Sequence, residues 1–127
     1  MGPPGYLSAM KLTEMTFPDA MPVEGYGPGF FRIGGEARPG PLLVGPDGIV
    51  DWAGLADTAP LDALAGRIDV LFLGTGSDIA YAPEGLSERL DAAGIGLEVM
   101  ASPTACRSYN VTLSEGRRVA LAALPVV

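Results

Sequence analysis

The stretch Asp69–Asp78, "DVLFLGTGSD", decides the fold. Its apolar core, Val70–Leu73, does not alternate with polar residues. Both faces of this strand are therefore expected to be covered, as in a parallel sheet with helices on either side. Downstream, Pro83–Ala93 predicts a helix. Proline suits a first turn, Glu84 complements the N-terminal dipole, and Leu86, Leu90 and Ala93 share one face. Gly94 supplies the stop, with Ile95 as the accompanying apolar contact. Gly96–Met100, "GLEVM", is the next strand. Ser102-Pro103 then opens a helix, with Ser102 as cap and proline in the first turn, that runs to about Glu115. Gly116 ends it, and Arg118–Val126 forms a last, mostly apolar strand. Strand, helix, strand, helix, strand at this spacing predicts a right-handed βαβ crossover with Asp69–Leu73 and Gly96–Met100 as parallel neighbours.

Upstream the pattern is antiparallel. Lys11–Phe17, "KLTEMTF", alternates imperfectly and reads as a half-buried strand. Pro18–Pro28 is rich in proline and glycine and reads as loop. Gly29–Ile33 is a short strand ended by Gly34-Gly35, and Pro41–Val44 is another. The turn Gly45-Pro46-Asp47-Gly48 joins the latter to Ile49–Trp52 as a hairpin, because proline presets φ and glycine accepts the left-handed position. Asp57-Thr58 is placed to cap a short helix over Pro60–Ala65, closed by Gly66. Met1–Ala9, "MGPPGYLSA", has no periodicity and reads as a flexible leader or expression remnant. Residues 10–127 read as a single α/β domain: N-terminal antiparallel hairpins followed by a βαβαβ unit on a central mixed sheet.

Composition excludes several function classes. The net charge is −7, with eight basic residues against fifteen acidic ones, so a nucleic-acid partner held by phosphate neutralisation is not expected. No apolar run approaches the ~18 residues of a membrane span, and no secretory pattern opens the chain. Membrane insertion is not expected, and a cytoplasmic location is. The chain has no histidine, which removes the usual general base, the serine triads and nearly all familiar zinc sites. Its single cysteine, Cys106, reads as a buried structural thiol. No metal-ligand cluster and no paired carboxylates emerge, so neither a metal, a cofactor nor a set of catalytic residues is assigned.

The glycine turn is not a nucleotide loop. A P-loop requires a lysine after its glycines, and the only lysine of the chain is Lys11. A dinucleotide fingerprint requires a third glycine where Ile79 stands. Ligands of open α/β sheets do, however, sit beyond the carboxyl ends of parallel strands. The turns after Leu73 and Met100 are expected side by side, and the second leads into a helix N-terminus that favours anions. Gly74, Thr75, Gly76, Ser77, Ser102, Thr104 and Arg107 are therefore the candidate small-anion pocket. On the helix "SPTACRSYNVTLSEGRR", Cys106, Tyr109, Asn110 and Leu113 share one stripe. Asn110 and Tyr109 are either structural, the amide tying backbone ends together, or walls of that pocket. Glu115 is placed to pair with Arg117 or Arg118.

"LFLGTG" at Leu71–Gly76 and "VMASPTACRSYNVTLSEGRRVALAAL" at Val99–Leu124 resemble the Mth-type domain of unknown function. "YGPGFFRIGG" at Tyr26–Gly35 and Trp52 match the same pattern. The family includes the mitochondrial respiratory complex I assembly factor 3, a vertebrate adipogenesis-associated protein and many small prokaryotic proteins. The resemblance covers residues from about Met10 to the end; Ser108 stands where many relatives have threonine. It implies a three-layer mixed α/β fold with a central mixed sheet. It implies no activity and no catalytic residues; Gly74, Thr75, Gly76, Arg107, Tyr109, Asn110, Glu115 and Arg117 match its signature. Its mitochondrial member implies a non-enzymatic binding or assembly module that helps build a membrane respiratory complex. Phe30 and Phe31, with the proline-rich loop before them, are the candidate protein contacts. The alternative is a small-ligand or anion-binding protein, or an enzyme of unassigned reaction, using the crevice between the Gly74–Gly76 turn and the Ser102 helix N-terminus. The alanine-, glycine- and arginine-rich, lysine-poor composition points to a bacterial source.

Overall fold

A computed structural model describes residues 20–127. The predicted strand Lys11–Phe17 and the leader Met1–Ala9 lie outside the described residues. Three strands, β1 (Val23–Gly27), β2 (Phe30–Ile33) and β3 (Glu36–Pro39), form an antiparallel sheet in that order. A second, mixed sheet holds β4 (Leu42–Gly45), β5 (Gly48–Val50), β6 (Val70–Thr75), β7 (Gly96–Met100) and β8 (Val119–Leu124) in the order β5-β4-β8-β6-β7. The helices are α1 (Ala59–Asp62), α2 (Leu86–Ala92) and α3 (Ser102–Ser114).

β6 is the axis of the mixed sheet. It runs parallel to β7 on one side and to β8 on the other, and β8 pairs antiparallel with β4. Its apolar run is buried on both faces, as its lack of alternation predicts. Val70 and Phe72 face the layer made by α3 and the three-stranded sheet, with Phe31, Ile33, Ala105 and Tyr109. Leu71 and Leu73 face the other layer with Leu61, Leu64, Leu86, Leu90 and Ile95, contributed by α1, α2 and their flanks. β4 and β8 split in the same way: Leu42, Val44, Leu121 and Ala123 on one face, and Leu43, Ala120 and Ala122 on the other. The mixed sheet is thus the middle of three layers.

Four expectations are corrected. Pro18–Pro28 is not loop throughout: Val23–Gly27 is a strand despite its glycines, because β2 supplies a backbone partner for it. Glu36–Pro39 is also a strand, paired with β2 across the Gly34-Gly35 turn. The helix after β6 begins at Leu86 rather than Pro83, because Pro83 opens a turn, its carbonyl accepting from Leu86 N–H at 3.2 Å, and Gly85 before the helix is left-handed at φ +81°. Thr58 stands at the N-cap of α1 without a side-chain cap bond; Asp57 instead accepts from Ala53 N–H at 3.0 Å. The helix stop does follow expectation: Gly94 adopts φ +83°, and Ile95 N–H returns to Leu90 O at 2.8 Å.

Candidate functional site

β6 extends through Thr75, so Gly74 is a strand residue, registered with Met100 on β7 and Ala123 on β8. The chain turns only at Gly76. There the two strand ends meet, as their parallel register requires. Ser102 N–H donates to Gly76 O, and Gly76 N–H donates to Ser102 Oγ, each at 2.8 Å. The Ser102 hydroxyl itself donates to Leu124 O at 2.5 Å. One side chain, 1% exposed, stitches together the ends of β6 and β8 and the start of α3.

Ser102 is therefore not the helix cap. Ala101 occupies the N-cap position and Ser102 is the first helical residue. Pro103, second in the helix, has no N–H for a cap oxygen to accept from. The neighbouring hydroxyls are also engaged. Thr75 Oγ1 donates to Asp78 O at 2.8 Å and accepts from Ala80 N–H at 2.9 Å, while Ser77 Oγ accepts from Val127 N–H at 3.1 Å. The structure thus gathers Gly74, Thr75, Gly76, Ser77 and Ser102 into one knot. Thr104 is exposed. Arg107 is exposed too and lines a different groove, of about 250 Å³, with Val23, Glu24, Tyr26 and Val111.

Tyr109 and Asn110 hold the three-stranded sheet to α3. The Tyr109 hydroxyl donates to Met21 O at 2.8 Å. Asn110 Nδ2 donates to Val23 O at 2.8 Å, and Val23 N–H donates to Asn110 Oδ1 at 2.9 Å. The amide thus answers the β1 backbone as another strand would, with one donor and one acceptor. Burial pushes the Tyr109 phenol pKa upward. Cys106, beside it on the inward stripe, has its thiol pushed up to about 11 by burial. It stays protonated at neutral pH and is a packing residue rather than a nucleophile.

Of the two candidate contact residues, Phe31 is corrected. It is fully buried, because strand alternation turns it into the core, and only the half-buried Phe30 reaches the surface. Glu115 does not pair with Arg118, whose guanidinium lies 2.7 Å from Asp69 and holds that carboxyl below its ordinary range.

The surface that sequence reading missed is the loop after β6. Ile79 is 65% exposed and Tyr81 97% exposed, and with Ala80, Ala82 and Val99 of β7 they line a groove of about 470 Å³. The signal was present as "IAYA", an apolar run between Asp78 and Pro83 with no period that would bury it. Among the described residues no group of three or more metal-ligating side chains occurs, and no helix is long and apolar enough to cross a membrane.

A mixed sheet between two covering layers is an architecture that this chain shares with solved domains. A family model described as a protein of unknown function, DUF498/DUF598, matches residues 23–124, and the chain belongs to that family. An uncharacterised protein of Rhodobacter capsulatus is 50% identical over 92% of this chain and 94% of its own length. The NADH dehydrogenase [ubiquinone] 1 alpha subcomplex assembly factor 3 of Danio rerio is 34% identical over 79% of this chain. The match spans only 62% of that longer protein. Among solved structures, an outer membrane protein from Bartonella henselae aligns with a TM-score of 0.80 at 30% identity, over 87% of this chain and 99% of that one. A Mth938-like domain from Bordetella pertussis aligns with a TM-score of 0.72 at 26% identity, over 91% and 92%. The predicted family and the three-layer mixed fold are both as the resemblance implied.

Proposed function

We propose that this domain is a non-catalytic binding module that assists the assembly of a membrane respiratory complex, and that it holds its partner on the Ile79–Ala82 loop. The observation that carries the reading is the exposure of Tyr81 and Ile79 beside Val99. An isoleucine and a tyrosine left exposed together beside an apolar groove are a common mark of a protein contact. The respiratory complex enters through the relatives whose names carry complex I assembly. The absence of histidine and the protonated thiol favour binding over catalysis. A cytoplasmic site of action belongs to the same proposal.

The test is complementation. Deleting the gene in its native organism is expected to lower the amount of assembled NADH dehydrogenase on native gels. Wild-type protein is expected to restore it, and the double variant Ile79→Ser, Tyr81→Ser is not. Both positions are exposed, so the variant's stability is expected to stay within about 0.5 kcal/mol of the parent. An unchanged level of complex in the deletion strain contradicts the proposal.

The competing proposal is a small anion in the crevice at Gly76 and Ser102, favoured by the meeting of two strand ends there. It requires Ser102 and Thr75 to give up internal hydrogen bonds. A phosphate-dependent rise in melting temperature that Thr75→Val removes would favour it.

A further inference from the structure

We infer that the open edge of β7 takes up an extended, basic and apolar segment of a partner protein as a sixth strand of the mixed sheet, clasped by Ile79 and Tyr81. The inference rests on the binding role proposed above and specifies the chemistry of the partner.

Among the described strands β7 pairs only with β6. Gly96 N–H donates inward, to Asp69 O at 2.8 Å. Backbone groups of successive strand residues point to opposite sides, so the peptide groups of Leu97 and Val99 face the open edge. Val99 also forms part of the groove under Ile79 and Tyr81. An added strand therefore finds main-chain partners at Leu97 and Val99 and apolar cover from the loop. This is the combination that strand addition uses, with backbone bonds for affinity and side-chain pockets for selection.

Charge selects the occupant. Between residues 78 and 100 the acidic residues are Asp78, Glu84, Glu88, Asp91 and Glu98. The one cation there, Arg89, is paired with Asp62 at 3.4 Å. Glu98 is exposed in the middle of β7. An oppositely charged residue across from it stabilises a strand pair, and a like charge weakens one. Val99, the residue after Glu98, turns to the opposite face and into the groove of Ile79 and Tyr81, so the added strand presents apolar side chains there and basic ones on the face of Glu98. A second copy of the chain fits poorly: antiparallel pairing of β7 with itself about its centre sets Glu98 against Glu98, in two chains of net charge −7. Such an edge charge guards against self-association while accepting a basic strand.

The experiment measures fluorescence anisotropy of labelled peptides on the full chain. A peptide alternating valine and lysine is expected to bind. N-methylation at alternate peptide residues, which removes donors from one edge, is expected to weaken binding about tenfold or more. Glu98→Lys is expected to do the same, and to transfer preference to a valine–glutamate peptide, since attraction becomes repulsion at one cross-strand pair. Circular dichroism is expected to show that the Glu98→Lys variant stays folded. Failure of the basic peptide to bind overturns the inference, as does equal binding of the N-methylated peptide or indifference to Glu98→Lys. Sedimentation showing a dimer whose stability changes with Glu98→Lys overturns it as well. None of these outcomes touches the complementation result, on which the assembly role stands separately.

Discussion

Gly74→Ala is expected to be the most damaging small substitution in the domain. A β-carbon at Gly74 would lie 2.7 Å from Ser102 Oγ, 2.8 Å from the Ser102 α-carbon and 3.1 Å from the Ala123 β-carbon. The first atom belongs to a side chain already tied at both ends, and the second is backbone, so neither can move aside cheaply. Either α3 lifts off β6 or β8 shifts. Overpacking of this kind costs about 3 kcal/mol, which lowers the thermal midpoint by roughly 10 °C in a domain of this size. The companion variant identifies the mechanism. Ser102→Ala leaves Gly76 N–H and Leu124 O unpaired and is expected to cost roughly 1–3 kcal/mol on its own. It is not expected to rescue Gly74→Ala, because the clash with the backbone of residue 102 remains. Thermal unfolding of the parent, the two single variants and the double variant checks both statements; full rescue in the double variant would show that the hydroxyl alone required glycine.

Tyr109→Ala is expected to rival it. The ring is fully buried between α3 and the three-stranded sheet, and removal of a buried aromatic costs about 3–5 kcal/mol. Tyr109→Phe keeps the ring and loses only the bond to Met21 O, so its expected cost is about 1 kcal/mol. Asn110→Ala leaves the Val23 N–H and C=O without their partner and is expected to cost roughly 1–3 kcal/mol. The loss has a place as well as a size. These bonds join β1 to α3, so amide exchange is expected to quicken in β1, β2 and β3 before it quickens in β6 and β8. Uniform acceleration across both sheets would mean that Tyr109 and Asn110 support the whole core rather than this one seam.

These two sites also show what a sequence can disclose. β6 was legible because an apolar run without alternation has few homes other than the middle of a parallel sheet. The β4–β5 hairpin was legible because Pro46, Asp47 and Gly48 determine their own turn. β1 was not: its glycines argue for loop, and its strand character comes from β2 and from Asn110, 87 residues away. Ser102 was placed correctly at the start of α3 but given a capping role, because the partners that claim its hydroxyl, Gly76 and Leu124, are near it only after the sheet has formed. Phe31 and Ile79 mark the opposite errors. Two adjacent phenylalanines drew attention as a contact, yet pairing with β3 turns Phe31 inward, while the plain run from Ile79 to Ala82 stays outside. Local chemistry fixes which segments are strands and helices; exposure depends on which layers close over them.

On this view the "GTG" turn and the "RSYN" stretch serve largely to hold the three layers together, and partner contact falls to the loop that follows β6. Site-specific photocrosslinking in respiring cells tests that division directly, with the photoreactive group placed at position 81 in one variant and at position 107 in the other. The expected result is a discrete protein adduct from position 81 and none from position 107. An adduct from position 107 with nothing at position 81 would contradict it, and would move the working surface of the domain to the groove between α3 and β1.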